Sequence, residues 1–132
     1  MTLTSVRGGT ETILLVEDEP FLRTSVRNAL LRLGYKVLEA STGAAALEVW
    51  KQSHKEIRLL LTDMVMPEQM SGRELAERLL KENPKLKVIY SSGYNAEVLD
   101  QNFRLEEGVN FLPKPFEAHK LAQTIRNALD KG

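Results

Sequence analysis

Hydrophobic residues recur along the chain in short, nearly unbroken runs. The runs lie at 12–17 (TILLVE), 36–40 (KVLEA), 58–63 (RLLLTD), 87–92 (KVIYSS) and 109–112 (VNFL). Such short runs, rich in Leu, Ile and Val, are typical of β-strands. The continuous apolar stretches of the first and third runs indicate burial on both faces, as in a parallel sheet covered by helices.

The segments between these runs carry apolar residues at helical spacing. Leu22, Val26 and Leu30 form such a stripe, which Gly34 ends. Helices are predicted over 20–33, 43–53, 72–82, 95–106 and 117–130. Strands that alternate with helices predict an α/β fold with a doubly wound, five-stranded parallel sheet and five helices.

Length and composition are those of one globular domain. The chain has 132 residues, of which 1–11 (MTLTSVRGGTE) are predicted to be a flexible tail or linker remnant and 12–132 the domain. Lys plus Arg and Asp plus Glu both number 18, so no excess charge points to nucleic acid or an anionic membrane. Cysteine is absent and no apolar run is long enough to span a bilayer, so a cytoplasmic location is expected.

Charged and polar residues follow the predicted strands. The carboxyl ends of parallel strands share one edge of the sheet, where ligands bind. Three carboxylates at this edge would repel one another unless a cation lies among them, and oxygen ligands suit Mg²⁺. The residues at the strand ends are Glu17, Asp18, Asp63, Ser91, Ser92 and Lys114.

Asp63 is the candidate nucleophile of this group. It stands alone at its strand end, whereas Glu17 and Asp18 are paired. An ammonium and a hydroxyl nearby match the oxygens of a phosphoryl group, which a carboxylate can accept as an acyl phosphate. A metal would neutralise charge on the transferred group.

Four motifs in order resemble the receiver domain of two-component response regulators. They are LLVEDEP, LLLTDMVMP followed by SGREL, VIYSSGY and FLPKPF, and the resemblance covers about residues 12–130. It implies a flavodoxin-like fold with strand order 2-1-3-4-5. It also implies a phosphorelay protein that is phosphorylated by a histidine kinase or a histidine phosphotransfer domain. Such a domain is not an enzyme, beyond assisting its own phosphorylation and dephosphorylation.

The resemblance assigns roles to the metal-binding and phosphorylated residues. Asp63 is the expected phosphoacceptor. Mg²⁺, with Mn²⁺ as an alternative, would be held by Glu17, Asp18 and Asp63 and by the backbone carbonyl of Val65. Glu17 stands where aspartate is also frequent in the family, so its contact with the metal is expected either directly or through water.

The resemblance also assigns a conformational switch. Ser92 would be the switch hydroxyl and Phe111 the switch aromatic, while Lys114 would pair with the phosphoryl group. The Lys114–Pro115 peptide is expected to be cis. The output face would consist of the fourth helix, fifth strand and fifth helix, and a dimer through this face is an alternative.

Further motifs resemble the receivers of hybrid sensor histidine kinases. They are GGTETILLVEDEP, SGRELAERL and GVNFLPKPF. A membrane would then be reached only through a parent kinase, with no direct contact to nucleic acid. The loop MPEQMSG is one residue longer than usual, and Val65 and Tyr94 offer no group to orient water, which predicts slow self-dephosphorylation.

Two other functions and several structural interpretations stay open. A hydrolase that forms an aspartyl phosphate would need an acid at Val65, and a receiver-like module could act without phosphorylation. The hydroxyl of Ser92 could belong to a turn, because Ser91 is adjacent. Trp50 is expected in the core, and both histidines (His54 and His119) are expected in solvent, binding no metal.

Overall fold

The part of the chain that the structure describes contains five strands and four helices. The structure is a computed structural model, and it describes residues 7–64, 70–93 and 109–131. The elements are β1 (Thr12–Val16), α1 (Pro20–Arg32), β2 (Lys36–Ala40), α2 (Gly43–Ser53), β3 (Ile57–Asp63), α3 (Gly72–Glu82), β4 (Lys87–Ser92), β5 (Phe111–Pro113) and α4 (Ala118–Asp130). Among these helices, none combines the length and the apolar character that crossing a bilayer requires.

All strands form one parallel sheet in the order β2-β1-β3-β4-β5, which confirms the expected order. The register brings the carboxyl ends of the strands to one edge. Val16 pairs with Ala40 on one side and Thr62 on the other, Asp63 pairs with Ser91, and Ser92 pairs with Pro113. The ends of β1 and β3 are therefore neighbours, and β4 lies between β3 and β5.

The prediction of five helices is not matched in the described residues, which contain four. The remaining predicted helix, 95–106, lies within 94–108, outside the described residues. The fifth strand also differs, because 109–112 was predicted and Phe111–Pro113 is observed. Residues 109 and 110 form a turn, and pairing with β4 decides where the strand begins.

The sheet has a hydrophobic cluster on each face, as continuous apolar strands require. One cluster includes Leu14 and Leu60 with residues of α2 and α3. The other includes Ile13 and Leu59 with residues of α1 and α4. Trp50 is only 2% exposed in the first cluster, and its indole N–H donates to Glu82 at 3.0 Å, which confirms its core position.

The two histidines lie in α4 and next to α2. His54 is exposed, as expected, with its Nδ1 3.2 Å from the carbonyl oxygen of Trp50, whereas His119 is half-buried. Neither belongs to the cluster of candidate metal ligands found among the described residues.

Local contacts fix how the chain enters and leaves the helices near the strand ends. The Glu19 carboxylate accepts hydrogen bonds from the amides of Phe21 and Leu22, and so caps α1. Gly34 has φ 99°, the left-handed conformation that favours glycine after a helix. A Cβ on Gly72 would lie 2.0 Å from the carbonyl oxygen of Asp63, so only glycine allows α3 to begin this close to β3.

Residues 7–11, the described part of the predicted tail, lie against the fold. The Gly9 amide donates to the Leu33 carbonyl at 3.1 Å. Arg126 of α4 donates to the Gly8 carbonyl at 3.0 Å and forms an ion pair with Glu11 at 2.8 Å. Residues 1–6 lie outside the described residues, and the division of 1–11 from the domain stays a prediction.

Candidate functional site

Three carboxylates meet at the edge of the sheet. Glu17 and Asp18 follow β1, Asp63 ends β3, and each contributes an oxygen that lies within 4.8 Å of the other two. Glu17 is 4% and Asp63 8% exposed, while Asp18 is half-buried. The sequence predicted this group, because parallel strands that are adjacent in the sheet must bring their ends together.

Lys114 supplies the positive charge of the site. Its Nζ lies 2.9 Å from Oε1 of Glu17 and 3.3 Å from Oδ2 of Asp63. The Lys114–Pro115 peptide is cis, as expected, and the Lys114 amide donates to the Ser92 carbonyl at 2.9 Å. Burial opposes the charge of Lys114, but the bond with Glu17 and the charge of Asp63 outweigh it and raise its pKa.

Glu17 is held by hydrogen bonds on both its backbone and its side chain. Its amide donates to the Ala40 carbonyl at 3.1 Å, and its Oε2 accepts from the Glu19 amide at 3.0 Å. Its carbonyl accepts from Nη1 of Arg23 at 2.8 Å. The sequence reasoning missed Arg23. The available signal was a basic residue in the first turns of the helix that follows the acidic pair.

The two serines of β4 are in different environments. The Ser91 hydroxyl donates a hydrogen bond to the Leu112 carbonyl of β5 at 3.0 Å. Ser92 is 5% exposed, and its carbonyl bonds the amide of Lys114. Because side chains alternate along a strand, Ser91 and Ser92 point to opposite faces of the sheet. The assignment of Ser92 as the switch hydroxyl stays a prediction.

Phe111 is buried beside Tyr90. The two residues pair in register between β4 and β5 and belong to the same hydrophobic cluster, with Phe111 6% and Tyr90 5% exposed. Burial, with a smaller effect of Glu77, raises the pKa of Tyr90 to about 12. Ser92 lies two residues after Tyr90 and therefore on the same face of β4.

Two predicted residues lie outside the described part of the chain. Val65, expected to offer a backbone carbonyl to the metal, is in the segment 65–69, and Tyr94 is in the segment 94–108. The carbonyl ligand and slow self-dephosphorylation therefore stay predictions.

The donors in the site fit a hard divalent cation. The cluster offers carboxylate oxygens only, and two of its three carboxyl groups, those of Glu17 and Asp63, lie 2.9 and 3.3 Å from the Lys114 ammonium. Mg²⁺ binds through one or two carboxylates together with water and phosphate oxygens. The group can therefore hold a divalent ion next to Asp63.

Comparisons with known proteins agree with this geometry. The profile of the response regulator receiver domain matches residues 13–126. The chain is 40% identical over 123 residues to the sensor kinase CckA of Brucella abortus (strain 2308), covering 93% of this chain and 13% of CckA. It is 37% identical over 117 residues to the response regulator receiver protein CpdR of the same organism, covering 89% of this chain and 95% of CpdR.

Solved structures show the same fold. The crystal structure of the receiver domain from hybrid histidine kinase CckA has a TM-score of 0.75 and 33% identity, covering 90% of this chain and 99% of that chain. A response regulator receiver protein from Sinorhizobium medicae WSM419 has a TM-score of 0.81 and 27% identity, covering 92% and 96%.

Proposed function

Because this chain belongs to the response regulator receiver domain family, we propose that its Asp63 is the residue that accepts the phosphoryl group. Domains of this family are phosphoacceptors of two-component signalling and not conventional enzymes. One observation carries the assignment to Asp63. Its buried carboxylate lies 3.3 Å from the Lys114 ammonium and shares the acidic cluster with Glu17 and Asp18.

The proposed reaction is an in-line transfer from phosphohistidine. An oxygen of Asp63 attacks phosphorus, the P–N bond breaks, and its electron pair returns to the imidazole of the donor. The Lys114 ammonium would donate to an oxygen of the incoming phosphoryl group, and its raised pKa keeps it charged at neutral pH. Lys114 thus compensates the charge that the acyl phosphate adds.

Glu17, Asp18, Asp63 and the Val65 carbonyl are the proposed ligands of Mg²⁺, with Mn²⁺ as the alternative. The ion would neutralise negative charge on the transferred group. Both Glu17 oxygens already accept hydrogen bonds, one from Lys114 and one from the Glu19 amide. This arrangement favours a contact between Glu17 and the metal through water.

The proposed switch joins Ser92 to Phe111. Phosphorylation would draw the Ser92 hydroxyl toward the phosphoryl group, and the packing of Phe111 against Tyr90 would change in response. The output face would include β5, α4 and the predicted helix 95–106, which lies outside the described residues. A dimer through this face is a further proposal.

The proposed partners are a histidine kinase or a histidine phosphotransfer domain. The chain spans 13% of the length of CckA, a sensor kinase, and 14% of that of the sensor kinase/phosphatase LuxN of Vibrio harveyi. By analogy we propose a cytoplasmic receiver that meets a membrane only through a parent kinase and does not itself contact nucleic acid.

Phosphorylation by a small-molecule phosphodonor tests the proposal. The wild-type chain should gain one phosphoryl group in the presence of MgCl₂, measured by intact-protein mass spectrometry, and Asp63→Asn should gain none. Asp130→Asn is the matched control, since Asp130 is an aspartate of α4. An unmodified wild-type chain would favour an interaction module, and rapid release of phosphate over many turnovers would favour a hydrolase.

A further inference from the structure

A network of charged side chains from α1 and β2 connects these two elements to Glu17, which follows β1. Nη1 of Arg23 donates to the Glu17 carbonyl at 2.8 Å, and Nε of Arg23 lies 3.4 Å from Oε1 of Glu39. Arg27, one turn later in α1, bonds the other Glu39 oxygen at 3.1 Å. Both arginines therefore share one carboxylate of β2, and within the described residues it is Arg23 that also bonds Glu17.

We infer that Arg23 is a positioning residue that sets the affinity of the site for Mg²⁺. The inference rests on the metal site of the proposed function. The Glu17 carbonyl belongs to the peptide that joins Glu17 to Asp18, so Arg23 fixes the plane of that peptide. The orientation of the peptide determines where the Cβ of Asp18 points. Groups that orient metal ligands in this way affect affinity without touching the ion.

Arg23 is itself held in place. Its side chain is 24% exposed and that of Glu39 30%, so the pair is partly shielded from solvent. The planar guanidinium can bond a carboxylate and a carbonyl in one fixed geometry, which a lysine ammonium cannot reproduce. Arg23 therefore transmits the position of β2 to the turn after β1.

The direction in which substitution of Arg23 changes the Mg²⁺ affinity distinguishes a positioning role from a purely electrostatic one. Arg23→Gln removes a positive charge near three carboxylates, and charge alone would then tighten Mg²⁺ binding. If Arg23 instead positions the peptide between Glu17 and Asp18, its loss should weaken Mg²⁺ binding. Arg23→Lys keeps the charge and loses the planar geometry, so positioning predicts weaker binding there as well.

Calorimetric titration of the unphosphorylated chain with MgCl₂ tests this inference. Arg23→Gln is expected to weaken binding about tenfold, and Arg23→Lys to weaken it by a smaller factor. Arg27→Gln is the matched control, because it removes the same charge from the same helix and the same Glu39 partner. Its affinity should stay within about twofold of wild type, since no ligand-bearing peptide is released.

The outcomes distinguish this inference from the proposed function. A wild-type chain that binds no Mg²⁺ overturns the metal site itself and the role of Arg23 with it. Equal or tighter binding by Arg23→Gln, or equal losses in Arg23→Gln and Arg27→Gln, overturns only the role of Arg23. If thermal melts show that Arg23→Gln does not fold, unchanged affinity in Arg23→Lys overturns the role.

Phosphorylation kinetics give a second readout. At saturating MgCl₂ the phosphorylation rate of Arg23→Lys should return to the wild-type rate, because a weakened site is refilled by mass action. A rate that stays low at saturation would place Arg23 in the phosphoryl transfer and would overturn its assignment to metal affinity.

Discussion

Two adjacent serines show how a single residue position can separate stability from signalling. Ser91 gives its hydroxyl to the Leu112 carbonyl and is 5% exposed, so its hydrogen bond joins β4 to β5 inside the protein. Ser92 is equally buried but lies on the face of β4 shared with Tyr90 and Phe111. The Ser91 hydroxyl therefore has a structural partner in β5, and Ser92 is the proposed switch hydroxyl of the site.

Ser91→Ala should affect stability, and Ser92→Ala should affect the conformational switch. Loss of the Ser91 hydroxyl leaves a buried carbonyl with one donor fewer, and should lower the free energy of unfolding by about 1 kcal/mol in urea denaturation. Ser92→Ala should keep phosphorylation but lose the shift of the Phe111 ring resonances on addition of beryllium fluoride with MgCl₂. A shift that survives in Ser92→Ala and disappears in Ser91→Ala would reverse the assignment.

At the scale of elements, the hydrophobic pattern of the sequence predicted the strands, and the residues at the strand ends predicted the site. The runs at 36–40 and 87–92 coincide with β2 and β4, since buried strands must be apolar. Glu17 and Asp63 could be predicted to lie close together, because the carboxyl ends of parallel strands lie at the same edge of the sheet. Strand order came from the family resemblance, because hydrophobic pattern alone does not say which strands are neighbours.

Some contacts between charged side chains distant in the chain were not predicted from the sequence. No periodic pattern in the sequence indicates the ion pairs of Arg23 with Glu39 and of Arg126 with Glu11. Each arginine could pair with any of many acidic residues. The start of β5 at Phe111 could not be predicted from the sequence either, because the pairing of β5 with β4 determines where the strand begins. These features depend on tertiary geometry, which becomes available only when the sheet is assembled.

The contact between the N-terminal segment and α4 predicts a pH-dependent stability. Arg126 is 12% exposed and bonds both oxygens of Glu11, at 2.8 and 3.2 Å. The hydrogen bond with Arg126 lowers the pKa of Glu11 from its ordinary value of 4.5. The stabilisation is therefore complete above pH 4.5 and disappears as the pH falls through the lowered pKa.

Glu11→Gln should reveal this dependence. At neutral pH the variant should lose roughly 0.5–1 kcal/mol of unfolding free energy, since the pair is partly exposed and screened by solvent. At acid pH, below the lowered pKa of Glu11, the difference from wild type should vanish. Glu48→Gln, which breaks an exposed pair with Lys51 on α2, is the control and should show no such trend. A constant difference at all pH values would contradict the ion-pair explanation.

For the whole molecule, the acidic cluster is expected to place a cost on folding that the binding of a cation would relieve. Three carboxylates lie within 4.8 Å of one another at the ends of β1 and β3, and the positive charge of Lys114 offsets part of their repulsion. The unfolded chain separates these charges, so repulsion acts against the folded state. A ligand that binds only the folded state stabilises it by mass action.

Asp18→Asn should therefore reduce the stabilisation of the fold by Mg²⁺. Without the ion the variant should melt at a temperature equal to or above that of wild type, because one repelling charge is gone. Wild type should gain about 1.4 kcal/mol at a Mg²⁺ concentration tenfold above its Kd, and the variant should gain much less. Glu48→Gln, outside the cluster, should follow wild type in thermal melts with and without MgCl₂. If Asp18→Asn instead melts lower without the ion and gains as much from it, the cluster is neither strained by repulsion nor the metal site.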